Sequence, residues 1–417
     1  MNSRLIFGME RDRVVWMLER SIRGCLVAYI FIVTIPHTAA LQSILFSAAL
    51  LGLLIKWSLT RRIPFTRTPL DIPILLLTMV IIYKSVASVD PEYSRSVLFK
   101  EHFPQIFIFY LIASVMNTPR YVQRIILCLL ISVAIVAGIG LYGYYQGSMI
   151  KAERATSYFG NFGRAAFYTS MIIPMALAQS LCNKHGWRLW VYSGVTILCL
   201  LFMITTLSRG AWISTLFAII LLSIIKSRKL LIVVFLIILA MPWVLPHEYI
   251  ERGLSLTQVD EITGNEQFGD RFWLWRSAIE MIRDNPLDGA GYGNRVFSKM
   301  YPYYIDSRSS GLIFENAHNL YLQMAIEIGL PGLGLFLFII TSVLIRVARK
   351  IKSHLDTAIE KQILGIAGSL AVFVIFSMST FRYENEIGLL FWILVASAVN
   401  MTRPESVAIE TPAATPP

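Results

Sequence analysis

Long apolar runs separated by short polar loops fill most of this chain, and within the runs hydrophobic positions follow one another without a period of two. Hydrocarbon offers no partner to a backbone amide, so runs of this kind read as helices that close their own hydrogen bonds. The pattern predicts an all-α integral membrane protein of about twelve transmembrane helices. They fall near 21–36, 39–56, 70–86, 104–117, 125–145, 165–182, 189–207, 211–225, 230–246, 318–345, 363–380 and 387–401. The windows 104–117 and 387–401 are short for a hydrocarbon layer of about 30 Å. A transmembrane barrel would require alternating segments, which the runs do not show.

One polar stretch, 247–317, interrupts the pattern. It divides the chain into a surface segment at 1–20, helices one to nine over 21–246, a long loop or lid, helices ten to twelve over 318–401, and a tail at 402–417. The tail is rich in Pro and Thr and is expected to be disordered. Residues 1–20 carry Arg11, Asp12 and Arg13 beside Val14, Val15, Met17 and Leu18, so they read as an interfacial helix and not as a cleavable signal peptide. Inside the lid, Asp270 is placed to cap a helix on which Phe272, Trp275, Ile279 and Ile282 recur at helical spacing. Asn285-Pro286 ends that helix, and Gly289 to Asn294 predicts a flexible loop. Tyr301, Tyr303 and Tyr304 suit either an interfacial aromatic belt or a platform for sugars.

Charge fixes the expected orientation. Only 15% of the residues are charged, against about a quarter in soluble domains. Loops on one side hold most of the short-loop Lys and Arg, from Arg4 to Arg23, Lys56 to Arg67, Arg120 and Arg124, Lys184 and Arg188, Lys226 to Lys229, and Arg346 to Lys361. That side is expected to be cytoplasmic, with both termini on it and the 247–317 segment periplasmic. The net charge of +11 is then a topology signal and implies no nucleic acid. The opposite loops still hold Lys84, Arg95, Lys100, Lys151, Arg154, Arg164, Arg209 and Arg382, and these need another explanation. Cys25, Cys128, Cys182 and Cys199 lie in or beside apolar helices without metal-ligand spacing and read as structural thiols.

Several of these residues are candidates for chemistry. Arg209 sits in Ser208-Arg209-Gly210-Ala211-Trp212, a tight turn between two apolar helices, where a charge requires a lipid phosphate or a substrate phosphate as partner. Arg154 and Arg164 bracket a loop with Gly160 and Asn161 that suits a polar ligand or a plain connection equally. Arg271, in the first turn of the lid helix as predicted, would oppose the helix dipole at a cost that function would explain. Arg276 is spaced to pair with Glu280. His318, at the re-entry Glu315-Asn316-Ala317-His318-Asn319-Leu320-Tyr321-Leu322, is the histidine placed to act as a general base, with Asn319 and Glu315 available to orient its ring. A helix cap or an interface residue is the structural alternative. The chain has no phosphate-binding Gly-Lys-Ser/Thr loop, no metal-type His/Cys spacing and no Gly-x-Ser-x-Gly elbow, so no metal, nucleotide or other cofactor is expected.

The segments Asp270-Arg271-Phe272-Trp273-Leu274-Trp275, Asn285-Pro286-Leu287-Asp288-Gly289-Ala290-Gly291, Ala317-His318-Asn319-Leu320-Tyr321-Leu322 and Glu327-Ile328-Gly329-Leu330-Pro331-Gly332 together resemble the O-antigen ligase/polymerase superfamily. Ser208 to Trp212, and Arg154 with Gly160-Asn161, fit the same pattern, so the motifs span about 154–332. The resemblance implies a bacterial inner-membrane glycosyltransferase that takes a glycan from undecaprenyl diphosphate. In the ligase branch the acceptor is a sugar hydroxyl of lipid A-core, and lipopolysaccharide is completed. It further implies that Arg154, Arg209 and Arg271 hold the diphosphate while His318 helps activate the acceptor. Arg164, Asn161, Arg276, Asn319 and Tyr321 are the further substrate-binding candidates. A polymerase of the same superfamily, a polysaccharide-lipid or anion transporter, and a non-catalytic assembly partner are the competing expectations.

Overall fold

The computed structural model describes residues 5–6, 9–151, 154–183, 185–244, 266–309, 311–353, 357–379 and 386–403. The tail beyond Arg403, residues 245–265 of the polar stretch, Lys184 and Arg382 lie outside the described residues. In chain order the helices are α1 (Arg11–Ile32), α2 (Ala39–Thr60), α3 (Asp71–Val86), α4 (Pro91–Val97), α5 (Phe103–Val115), α6 (Pro119–Tyr145), α7 (Phe162–Cys182), α8 (Trp187–Thr205), α9 (Arg209–Lys226) and α10 (Arg228–Val244). They continue with α11 (Glu266–Asp284), α12 (Asn294–Met300), α13 (Leu320–Lys352), α14 (Thr357–Phe376) and α15 (Glu386–Met401). Among the described residues, strands are confined to two-residue ladders, Leu5–Ile6 with Met9–Glu10 and Ile150–Lys151 with Arg154–Ala155.

This is an all-α membrane protein. Each of the twelve apolar windows falls on a helix, but seven described helices (α2, α6, α7, α8, α9, α13 and α14) are long and apolar enough to cross a bilayer by themselves. Charge excludes α1, whose 22 residues include Arg11, Asp12, Arg13, Glu19, Arg20 and Arg23, and length excludes others. α3 and α5 have 16 and 13 residues, about 24 and 20 Å at 1.5 Å per residue. α1 also departs from expectation, running without a break from Arg11 through the boundary drawn at 20. Leu51, Ile72, Met79, Ile197, Phe217 and Phe338 are exposed on the helices, the apolar exterior that lipid selects and water penalises.

α7 is the axis of the bundle. Of its most apolar window 89% is buried, against 17% for α2 at the periphery. It packs on α6, α8, α9 and α14. Lipid supplies no hydrophobic force between helices, so small residues and cross-helix hydrogen bonds have to hold them. On α14, Gly365 and Gly368 lie so close to Met175 and Pro174 that a Cβ on either would meet them at 3.1 and 2.5 Å. Ser369 Oγ, also on α14, donates to the Met171 carbonyl at 2.5 Å.

The described residues of the polar segment, 266–309 and 311–317, form a folded cap. Leu274, Ala278, Met281, Ala290, Val296, Phe297, Tyr301 and Ala317 form a small core of their own that reaches Ile326 of α13. The loop expected to be flexible is pinned instead. Ala290 N donates to Ile326 O at 2.7 Å, Gly291 N to Glu327 O at 3.0 Å, and Leu330 N to Pro286 O at 2.8 Å. These bonds are possible because α13 breaks at Gly329, whose backbone (φ 71°, ψ 172°) frees the carbonyls of the preceding turn. From the other side α3 and the loop after it grip the cap. Lys84, itself buried, pairs with Asp288 at 2.8 Å, Val89 N donates to Ala290 O, and Asp90 pairs with Lys299 at 2.7 Å.

Gly329 therefore carries a specific expectation. A Cβ there would meet the Leu287 carbonyl oxygen at 2.2 Å in a conformation that L-residues rarely adopt. Gly329→Ala should destabilise by about 2–4 kcal/mol or more, from strain together with loss of the loop contacts. Gly334, with nothing within 4 Å of a new Cβ, is the control. Gly334→Ala should be neutral or stabilising by about 0.5–1 kcal/mol. Thermal unfolding in detergent, followed by tryptophan fluorescence, distinguishes the pair.

Candidate active site

Four helix ends meet at one end of the bundle: the N-termini of α7, α9 and α13, and the C-terminus of α14. Phe376, the last residue of α14, has its ring 5.2 Å from that of Phe167 on α7. Ser379 lies against Gly210, where a Cβ would meet Ser379 Oγ at 2.1 Å, so α9 starts on the end of α14 only because residue 210 has no side chain. The Leu320 amide at the start of α13 donates to Ser377 O at 2.9 Å, and the Tyr321 hydroxyl donates to Val374 O at 2.8 Å. A helix C-terminus with spare carbonyls thus meets an N-terminus with spare amides, and each satisfies the other.

His318 immediately precedes this junction. Its φ of 48° places it in the left-handed region, uncommon for a residue with a side chain although His is enriched there. The turn is held on every side. Asn316 Oδ1 accepts from the His318 amide at 3.0 Å, and Asn319 Oδ1 accepts from the amides of Tyr321 and Leu322 at 3.0 and 3.2 Å. Asn319 is thus the N-cap of α13, and the same oxygen is not available to orient the imidazole. The ring of Phe314 meets that of His318 edge-on, with centroids 5.9 Å apart and planes at 88°.

Arg209 is the first residue of α9, after Ser208 in extended backbone and Leu207 at φ 50°. A guanidinium at a helix N-terminus is unfavourable alone but creates, with the helix amides, a strong site for an anion. α7 begins similarly. Asn161 Oδ1 caps the helix by accepting from the Arg164 amide at 3.1 Å, and the Arg154 guanidinium lies 4.5 Å from the centre of the Phe162 ring. The Arg154 hairpin is thereby seated on the first turn of α7.

Arg271 needs correction. α11 is already helical from Glu266, so Asp270 is not its N-cap, and Arg271 lies beyond the first turn, where the dipole cost largely disappears. Its position is informative for another reason. Trp275, one turn further along, donates from Nε1 to the Ala317 carbonyl at 3.0 Å. The Arg271–Trp275 face of the cap helix is thus the face laid on the His318 turn. Arg276 lies about 140° round the helix from Arg271 at 100° per residue. It does not pair with Glu280, which is taken by Arg283 at 2.8 Å, but with Asp306 at 3.4 Å. The structure therefore separates Arg276 from the other candidates. Tyr321 has its hydroxyl engaged with Val374, so its evident role is to hold the junction.

One buried relay was not anticipated from the sequence. The Ala317 amide donates to Gln323 Oε1 at 2.9 Å, Gln323 Nε2 to Glu327 Oε1 at 2.7 Å, and the Gly293 amide to Glu327 Oε2 at 2.9 Å. Glu327, 6% exposed, thereby ties the His318 turn to the loop of the cap. Gln323 and Glu327, at i and i+4 in an otherwise apolar run, were the available signal.

Comparison with known proteins bears on this end of the bundle. Residues 194–337 match the family model described as O-antigen ligase. The chain is also similar to the O-antigen ligase of Salmonella typhimurium (strain LT2), at 26% identity over 175 residues. That alignment covers 40% of this chain and 42% of the relative, so less than half of either is compared. The family match contains Arg209, Arg271, Arg276, His318, Asn319 and Tyr321, and stops short of Arg154, Asn161 and Arg164. Residues 194–337 of this multi-pass membrane protein are thus similar to the O-antigen ligase family.

Proposed function

We propose that this protein is a membrane glycosyltransferase of the ligase type, which moves a glycan from undecaprenyl diphosphate onto a sugar hydroxyl of lipid A-core at the periplasmic face of the inner membrane. The observation that carries the reading is the anchoring of His318, Arg209 and the Arg271 face of α11 around one helix end, that of α14. The family match and the name of the Salmonella relative support the choice of ligase.

In this mechanism the acceptor hydroxyl gives its proton to His318 as its oxygen attacks the anomeric carbon. The new C–O bond forms as the bond to the diphosphate breaks, and the diphosphate leaves with the electron pair. Arg209 and Arg271 carry the charge that develops on it, assisted by the amide ends of α7 and α9, with Arg154 and Arg164 on the same path. Attack opposite the leaving group inverts the anomeric centre. The proton held by His318 passes to the departing diphosphate or to water, which returns the base. The chemistry needs no ATP, since the diphosphate bond supplies the driving force, and the reading assigns no metal to the site.

Reconstitution of the full chain with undecaprenyl-diphosphate-linked glycan and lipid A-core, without nucleotide, tests this directly. Glycan should appear on lipid A-core with inverted configuration. His318→Ala should lower the rate by about 10²–10⁴. Arg209→Ala should lower it by about 10²–10³, and Arg209→Lys by less, since a lysine keeps the charge without the planar fork. Lengthening of the lipid-linked glycan with nothing on the core would make the protein a polymerase. Neither product, from intact substrates, would favour transport.

Trp275→Phe isolates positioning from chemistry. It removes one neutral hydrogen bond to Ala317, about 1 kcal/mol of stability, while keeping the aromatic packing. The reading predicts a fall in kcat of tenfold or more with the melting temperature little changed, because a shift of about 1 Å at the reacting groups costs on the order of 10²-fold.

A further inference from the structure

The reverse face of the cap helix holds a second site. Arg276, Ser277 and Glu280 of α11, with Tyr303 to Arg308 of the following loop, line a cleft of about 480 Å³, within the range of roughly 300–1,000 Å³ typical of small-molecule sites. It is distinct from the His318 turn, which faces the opposite side of α11. The tyrosine run that suggested a belt or a sugar platform is divided by the fold. Tyr301 is fully buried against Phe297, Tyr304 donates to Asp284 at 2.7 Å, and Tyr303 presents its ring to solvent at 86% exposure. Arg308 lies 4.1 Å from the centre of the Trp273 ring, which adds a second aromatic surface at the rim.

The polar groups of the cleft select the ligand. Asp306 is saturated: Oδ1 accepts from the Arg308 amide and Nε at 3.0 and 2.9 Å, and Oδ2 meets Arg308 Nη2 at 2.8 Å and Arg276 Nε at 3.4 Å. The Arg308 hydrogen bonds and both guanidinium charges hold the Asp306 carboxyl down at about 2, so this scaffold stays ionised throughout the physiological range. Two arginines and two acids line the cleft, so it offers a phosphate no excess of positive charge. Guanidinium N–H groups that Asp306 does not take up are donors suited to neutral oxygens. Ser277, 1% exposed, is among the residues lining the cleft, and its buried Oγ has no hydrogen-bond partner, an unmet polar group just beneath the cleft surface.

We propose that this cleft is a saccharide-binding subsite that holds neutral sugar units of the glycan away from its reacting end, an inference that rests on the reading of the protein as a glycan transferase. Tyr303 supplies a flat amphipathic face for the sugar ring, Arg276 and Arg308 donate to its hydroxyls, and Ser277 takes the most enclosed contact.

The test uses the full chain in detergent and, as probe, lipid-free neutral oligosaccharide cut by mild acid from the surface polysaccharide of the producing strain. Binding is followed by calorimetry and by saturation-transfer NMR. Wild type and His318→Ala should bind equally, while Tyr303→Ala and Arg308→Ala should weaken binding by about tenfold or more, some 1.4 kcal/mol. Ser277→Ala should weaken binding while leaving the melting temperature unchanged or raised, the reverse of what a structural role predicts. Binding that ignores all three substitutions, no oligosaccharide binding, or binding of inorganic phosphate alone would overturn the subsite. Loss of transfer in every assay alongside Tyr303-dependent binding would overturn the ligase reading and keep the cleft. Transfer with Tyr303-independent binding would do the opposite.

Discussion

Everything at the His318 end of the bundle depends on how the last carbonyls of α14 are satisfied. A helix that stops at a membrane surface leaves four acceptors without intrahelical partners, and beside hydrocarbon that deficit costs several kcal/mol. Here the start of α13 supplies the answer, with the Leu320 amide on Ser377 and the Tyr321 hydroxyl on Val374. The same contact leaves His318 little choice of position. It must occupy a left-handed turn between Asn316, which holds its amide, and Asn319, which caps the helix. A solvation requirement of the backbone thus becomes the placement of a candidate base.

The arginines follow a parallel logic. Each of α7 and α9 starts at this end with a cation in its first turn, an arrangement that opposes the helix field unless an anion is present. The cap then lays the helix face that carries Arg271 and Trp275 on the His318 turn, and its core is tied there by Trp275, Ile326 and the Gln323–Glu327 relay. Two structural units, one apolar and one polar, are joined over the same few residues.

Much of this was legible in the chain. Each apolar window falls on a helix, because a continuous apolar run in lipid has to close its own backbone hydrogen bonds, but seven described helices can span unaided, since length and charge at the ends of a run decide that and the runs blur both. The His318 junction stood out because polar residues at the mouth of an apolar helix are costly. What escaped were pairings across distance. Arg276 was matched with Glu280 by spacing, yet Asp306, thirty residues on, competes better because it already holds Arg308 in the right place. Asp270 looked like a cap because a Gly-Asp step commonly starts a helix, but the helix extends back to Glu266. The glycine-rich loop looked flexible because its partners, the carbonyls exposed at Gly329, exist only after α13 breaks.

That break also acts as a ruler. α13 counts 33 residues, about 50 Å of helix, whereas hydrocarbon about 30 Å thick needs roughly twenty. Gly329 divides the length unequally: 24 residues from 329 to 352 give about 36 Å, enough to span, and nine from 320 to 328 give about 13 Å more. The height of the His318 turn above the break is therefore written as a residue count. One residue more or fewer in that short arm would move His318 by about 1.5 Å and swing it through about 100°, so the arm tolerates substitution far better than insertion.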